Sequence, residues 1–280
     1  MSRARFDFLR SPSGIVTLAA AAWIAWRCVT MGMADLLVWS DPAAATGWRV
    51  AHPAAQYEAA QSDLLAQRDA VAMIHARIGI ASNPLDGRDY RIAAAVAESA
   101  GDRVGAERLF EIAERRAPRD LPTRIKLAAY ALRAGDHQRA LHEVDMLLRM
   151  QPELDADVLP RLVRLTDDAT AIDPIARILL QHPAWRNSFL SMLAGSASDP
   201  LSADRLFARL QAEDRLTPNE TDALKTLQRR IEDLTRGSAP AARKADTSAT
   251  TDWYALMDWQ SMESKAYTLT EDAYDSVGTP

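Results

Sequence analysis

Residues 83–154 have the sequence NPLDGRDYRIAAAVAESAGDRVGAERLFEIAERRAPRDLPTRIKLAAYALRAGDHQRALHEVDMLLRMQPEL. Three prolines in this stretch, Pro84, Pro118 and Pro152, lie 34 residues apart. The pair Gly101-Asp102 returns after the same interval as Gly135-Asp136. Alanines keep this interval in two series, Ala60, Ala94 and Ala128, and Ala72, Ala106 and Ala140. Small residues at a period of this length indicate repeated helix–turn–helix units, because only a small side chain lets two helices approach closely.

The period divides the middle of the chain into three units, 53–86, 87–120 and 121–154. Gly101 and Gly135 then end the first helix of their units, where glycine adopts a left-handed conformation without strain. The first unit is the least regular, because Gln67 stands where the other two have glycine. A 34-residue helical period is that of the tetratricopeptide repeat. We therefore predict an all-α protein, a right-handed tetratricopeptide-type α-solenoid over residues 41–236, in which the residues after 154 are a degenerate continuation.

The repeat stretch resembles tetratricopeptide-repeat proteins of Gram-negative bacteria that are encoded near exopolysaccharide and cell-envelope genes. Three flanking pieces are similar as well: GMADLLVWSDPAAA (32–45), HPAWRNSFLSML (182–193) and RLFARLQAEDRLTPNETDALKTL (205–227). The resemblance covers roughly residues 31–236. It implies a protein that begins with a membrane anchor or signal and faces the periplasm. Many members continue into a β-rich domain, whereas this chain ends in a short polar tail.

Residues 1–40 combine a basic start with an apolar run. Arg3, Arg5 and Arg10 precede an uncharged stretch at 15–26, and Trp23, Trp26 and Trp39 suit a membrane interface. Three interpretations remain open: a signal anchor, a cleaved signal peptide, or a buried N-terminal helix, which Arg27 and Asp35 would favour. As an anchor, residues 11–39 would cross the inner membrane once. The positive-inside rule then leaves the N-terminus in the cytoplasm and the repeat domain in the periplasm.

Residues 237–280 differ in composition from the repeat domain. They are rich in Ser, Thr, Ala, Pro and Asp, and they carry three basic residues against seven acidic ones. This composition predicts a linker and a flexible, disordered acidic tail. The aromatic cluster around Trp253 and Trp259 leaves two other possibilities open, a short helix that docks on its own domain and a partner-binding motif.

Composition and motifs argue against several classes of function. The net charge of −5 and the pI of about 5.6 speak against nucleic-acid binding. The sequence contains no nucleophile elbow, phosphate-binding loop, dinucleotide fingerprint or zinc-protease motif. The five histidines are dispersed, so no metal-ligating set is predicted. We therefore expect no enzyme activity, no catalytic residue, no cofactor and no metal.

The resemblance also implies which residues bind a partner. In tetratricopeptide proteins, the first helix of each unit lines a concave groove. By register, the groove residues here include Tyr57, Gln61, Arg88, Arg91, Glu98, Ile125 and Arg133. Such a groove suits an acidic, extended or helical segment, because arginine can hold a carboxylate with two parallel hydrogen bonds.

These observations together predict a non-enzymatic, membrane-anchored repeat scaffold that mediates protein–protein interaction. The resemblance implies partners in envelope polysaccharide assembly or export. Two alternatives remain: a soluble or cytoplasmic regulatory adaptor, and an inactive accessory subunit of a polysaccharide-modifying enzyme.

Overall fold

The computed structural model describes residues 12–237 and nine later positions, 254, 257, 259, 261, 262, 264, 265, 266 and 268. The prediction of an all-α protein is confirmed, since the described part of the chain contains helices and turns but no strand. The chain divides into two compact units, Met1–Pro118 and Arg119–Pro280, which we describe separately. Predictions for Arg3, Arg5, Arg10 and Trp253 concern positions outside the described residues.

Unit 1 contains six helices among its described residues. They are α1 (Pro12–Leu37), α2 (Pro42–Trp48), α3 (Pro53–Leu65), α4 (Asp69–Ser82), α5 (Gly87–Ser99) and α6 (Arg103–Arg116). Unit 2 begins with α7 (Leu121–Arg133) and α8 (His137–Met150), followed by a short 3-10 turn at Pro152–Leu154. Its later helices are α9 (Asp155–Leu165), α10 (Ile172–Leu179), α11 (Arg186–Ser196), α12 (Pro200–Glu213) and α13 (Pro218–Gly237).

The helix boundaries repeat with the period seen in the sequence. The helices α3, α5 and α7 begin at residues 53, 87 and 121, and α4, α6 and α8 begin at 69, 103 and 137. The ends of these helices keep the same 34-residue interval, at 65, 99 and 133 in the first series and at 82, 116 and 150 in the second. The predicted helix breaks at 101–102 and 135–136 are therefore confirmed.

Caps at both helix ends explain this regularity. The side chains of Asp86, Asp102, Asp120 and Asp136 each accept a hydrogen bond from a backbone N–H in the first turn of the next helix. At the other end, Gly101 and Gly135 have positive φ angles of 83° and 75°. The following N–H reaches back to close the last turn, from Asp102 to the Ala97 carbonyl and from Asp136 to that of Ala131.

The repeated alanines lie where the paired helices meet. Ala60, Ala72, Ala94, Ala106 and Ala128 are fully buried, and Ala140 is 1% exposed. Helix α3 packs on α4, α5 on α6, and α7 on α8. The prediction that these alanines are buried at helix contacts is confirmed, since a larger side chain would hold the backbones apart.

Beyond the repeats, alternate helices of unit 2 contact each other. Helix α10 contacts α8 and α12, while α11 contacts α9 and α13. Arg186, at the start of α11, contacts both α13 and the end of α10. Its guanidinium donates to both carboxylate oxygens of Glu220, at 2.6 and 3.2 Å, and to the carbonyl of Leu179 at 2.8 Å. Glu220 also accepts from the backbone N–H of Thr217 at 2.8 Å, which caps the start of α13.

Helix α1 combines an exposed apolar part with a packed end. Residues Ile15–Leu37 are long and apolar enough to cross a membrane, and only 6% of the most apolar window is buried. A core helix would be mostly buried, which α1 is not, whereas a membrane span and an N-terminal signal sequence both have this length and composition. Thr30, Ala34 and Val38 nevertheless form a buried stripe near the contact with α2. The Nε2 atom of His52 lies 2.6 Å from Asp35 and adds a polar contact to this end.

Candidate partner-binding surfaces

Four of the predicted binding residues meet in unit 1. Tyr57 projects from α3, and its hydroxyl accepts a hydrogen bond from Arg91 on α5 at 2.7 Å. The same hydroxyl donates to the amide oxygen of Gln61. The Arg88 guanidinium lies 4.5 Å from the centre of the Tyr57 ring, a cation–π contact. We call these four residues the Tyr57 cluster.

The Tyr57 cluster differs from an open groove lined by free arginines. Arg91 is only 4% exposed and Tyr57 is 7% exposed, so both hold α3 against α5. Arg88 pairs with Asp86 at 2.7 Å and retains a partly exposed guanidinium. In the described structure, the Arg91 guanidinium thus serves the contact between α3 and α5, and its role toward a ligand stays a prediction. Arg88 remains accessible to a partner, and Glu98 lies half-buried further along α5.

Next to this cluster lies a buried carboxyl group that the sequence did not single out. Asp89 is fully buried in the first turn of α5, and neither of its carboxyl oxygens has a hydrogen-bond partner in the described structure. Burial raises the pKa of Asp89 to about 7, and the charge of Asp86 acts in the same direction, while Arg88 and Arg91 oppose it. An acidic residue in the first turn of a helix is usually a solvated partner of the helix dipole, so its sequence position gave no signal.

Gly79 on α4 makes room for this carboxyl group. A Cβ atom added at Gly79 would lie 2.5 Å from the carboxyl atoms of Asp89. Within unit 1, the repeats 53–86 and 87–120 therefore fit together here through a glycine and an aspartate. Position 79 corresponds in the repeat 87–120 to Ala113, which is also buried.

Unit 2 holds the other two predicted binding residues. Ile125 lies on α7 but is only 1% exposed, because it belongs to the main hydrophobic core of the unit. Ile125 therefore contributes to this core, and its role in a partner-binding groove stays a prediction. Arg133, at the end of α7, is exposed, and its guanidinium lies 4.2 Å from the ring centre of Tyr254 and donates to its hydroxyl.

The contact with Tyr254 brings the C-terminal segment onto the repeat domain. Met257, Trp259, Met262 and Ala266 are all buried and join the same core as Ile125. At these positions, the expected disordered tail is replaced by the docked helix that the sequence had left as an alternative. The physical reason is the apolar area of two methionines and a tryptophan, which is more stable packed than hydrated.

Metal-ligating groups and surface depressions are the remaining features of the described residues. Among them, no group of three or more His, Cys, Asp or Glu side chains is placed to hold a metal ion. An open depression of about 330 Å³ is lined by small and polar residues of α11 and α13, including Ser191, Asn219 and Asp222. Comparison with protein-family models, with curated proteins and with solved structures found no match to this chain.

Proposed function

We propose that the chain is a non-enzymatic repeat scaffold of the right-handed tetratricopeptide type, which α1 holds at the inner membrane and which binds other proteins. The observation that carries this proposal is the equal spacing of six helices in steps of 34 residues. Repeats of this kind present extended surfaces for protein partners rather than enclosed sites.

The caps support a true repeat rather than a chance period. The N-cap aspartates and the positive-φ residues each return at the same interval as the helices. The two interleaved sets of helices in unit 2 also suit a continued solenoid in which the last units have lost the sequence register.

Two different observations support the membrane anchor and the periplasmic location. Helix α1 has the length and apolar exposure of a single span. The periplasmic orientation follows from the arginines before the span. A role in envelope polysaccharide assembly or export rests on the resemblance of the sequence alone.

The topology is tested by fusing alkaline phosphatase, which is active only outside the cytoplasm, after Arg236. We expect activity when the fused chain keeps residues 11–26 and none when these residues are deleted. An inactive fusion that keeps residues 11–26 would contradict the periplasmic orientation and favour a cytoplasmic adaptor.

Partner binding is tested by cross-linking intact cells and capturing the chain from membrane extracts. Arg88 and Arg133 are the basic residues of the predicted set that remain accessible. We expect the double variant Arg88→Ala/Arg133→Ala to lose captured partners while keeping its helical content. The matched control is Arg229→Ala, on the exposed surface of α13. Equal recovery with the double variant and the control would exclude both arginines from partner binding, each in its own unit.

A further inference from the structure

The C-terminal segment has the burial pattern of an amphipathic helix. Trp259, Met262 and Ala266 are buried and stand at the i, i+3 and i+7 positions that share one helix face. Ser261, Ser264 and Thr268 are exposed, and the described positions from 259 to 268 are helical. We call the described positions from 254 to 268 the tail segment.

Two polar contacts position the ends of the tail segment on unit 2. At its start, Tyr254 lies under the Arg133 guanidinium, with 4.2 Å between the guanidinium carbon and the ring centre. Tyr254 also stacks on Trp259, with ring centres 5.9 Å apart. Near its end, the Lys265 ammonium group lies 2.5 Å from the carboxylate of Asp157 at the start of α9.

The tail segment contacts one predicted groove position of the third repeat, Arg133, and shares a hydrophobic core with other residues of the same helix. Ile125, Ala129, Leu132 and Arg133 follow one another along one face of α7, which we call the α7 face. Ile125 and Ala129 are buried in the same core as Met257, Trp259 and Met262, and Leu132 packs against that core. Arg133 contributes the cation–π contact. The tail segment therefore contacts the end of the face that the resemblance assigns to an external partner.

We propose that the tail segment is an internal ligand of the α7 face, and that the external partner is a protein segment of the same chemistry. That partner is an amphipathic helix with tryptophan and methionine on its apolar face and an aromatic ring positioned for Arg133. This inference rests on the proposed function, since it names the partner class of the same scaffold. Helices of this type bind apolar grooves through anchors spaced three and four residues apart.

The connection to α13 makes displacement possible. Sixteen residues, 238–253, connect the end of α13 to the tail segment, and their composition predicts a linker. A flexible linker of about this length holds a ligand at an effective concentration of the order of millimolar, which allows a modest intrinsic affinity to keep the ligand bound. The ion pair of Lys265 with Asp157 is partly exposed, 40% and 44% for the two side chains, and is open to competition by water and salt.

The test uses the full chain in detergent micelles and a fluorescein-labelled synthetic peptide of residues 251–270. In one variant, Trp259→Asp/Met262→Asp places charge on the apolar face of the tail segment and releases it. In the matched control, Ser261→Asp/Ser264→Asp places the same charges on the exposed face. Fluorescence anisotropy measures peptide binding, and circular dichroism measures the helical content of each variant.

We expect the released variant to stay folded and to bind the peptide at least about tenfold more tightly than the wild type or the control. Adding Arg133→Ala to the released variant should weaken binding again, and a scrambled peptide should not bind. The inference is overturned if the released variant loses its cooperative unfolding, because the tail segment is then an integral part of the core. It is also overturned if the folded variant binds no more tightly than the control. The phosphatase fusion ends at Arg236 and lacks the tail segment, so it tests the anchored scaffold separately. If membrane extracts still yield captured partners while the tail segment proves integral to the core, this inference fails and the proposed function stands.

Discussion

The buried carboxyl group of Asp89 makes the stability of unit 1 depend on pH. Its pKa of about 7 in the folded chain exceeds the ordinary value of 3.8, so the folded state binds more protons than the unfolded state between these values. The contribution of Asp89 to stability is therefore greatest below about pH 4 and is lost as the pH rises through about 7. The groups that face Asp89 are Asp86, Arg88 and Arg91, and Gly79 contacts it from α4.

The substitution Asp89→Asn removes this dependence, because the amide has nearly the same shape and no charge. Between about pH 5 and about pH 8, the wild-type carboxyl group titrates over roughly two pH units, each worth about 1.4 kcal/mol. We therefore expect the stabilisation by Asp89→Asn to be about 3 kcal/mol larger at the higher pH. Because the carboxyl group is buried, solvent screens its charge little, so the whole pKa shift contributes to the free energy of unfolding at this order of magnitude.

Urea unfolding of the full chain, followed by circular dichroism at both pH values, measures this difference. The matched control is Asp222→Asn on α13, where the carboxylate is exposed and the nearby Lys225 holds the pKa below its ordinary value. If Asp89→Asn changes the free energy of unfolding equally at both pH values, the carboxyl group is not buried as described.

Three further substitutions test the repeat architecture. Ala106→Leu should overpack the contact between α5 and α6 and lower the free energy of unfolding by about 1–3 kcal/mol, whereas Val104→Leu on the exposed surface should not. Gln67→Gly should raise stability by about 1 kcal/mol, because Gln67 has a φ angle of 57°, while Ala66→Gly should lower it. His52→Ala should cost about 1–2 kcal/mol by removing both the cap of α3 and the contact with Asp35, and an unchanged melting temperature would show that neither contributes.

The sequence predicted the local architecture well, because caps and close contacts depend on residue type at fixed intervals. Gly101 and Gly135 end helices, and buried alanines mark the pairing, in the described structure as in the prediction. Exposure could not be predicted in this way. Whether Arg91 or Ile125 is open depends on side chains that lie far away along the chain, as Tyr57 does for Arg91.

Two structural features, the fit of Asp89 against Gly79 and the docking of the tail segment, could not be predicted from neighbouring residues in the sequence. The fit of Asp89 over Gly79 depends on the close approach of two helices, and an aspartate in the first turn ordinarily faces water. The docking of the tail segment depends on contacts between positions more than one hundred residues apart, such as Arg133 with Tyr254 and Lys265 with Asp157. Composition alone made that segment look like a disordered tail.

The continuity of helix α1 has a mechanical consequence if it spans the bilayer as proposed. It runs without a break from its exposed apolar part, past the buried Thr30 and Ala34, to Leu37. With a rise of about 1.5 Å per residue, the distance from Arg27 to Leu37 along the helix axis is about 15 Å. Because the helix is unbroken, unit 1 would tilt together with the anchor and would not reorient freely relative to the membrane. The repeats of unit 1 would then lie at a fixed distance from the lipid headgroups, with restricted rotation, when a partner binds.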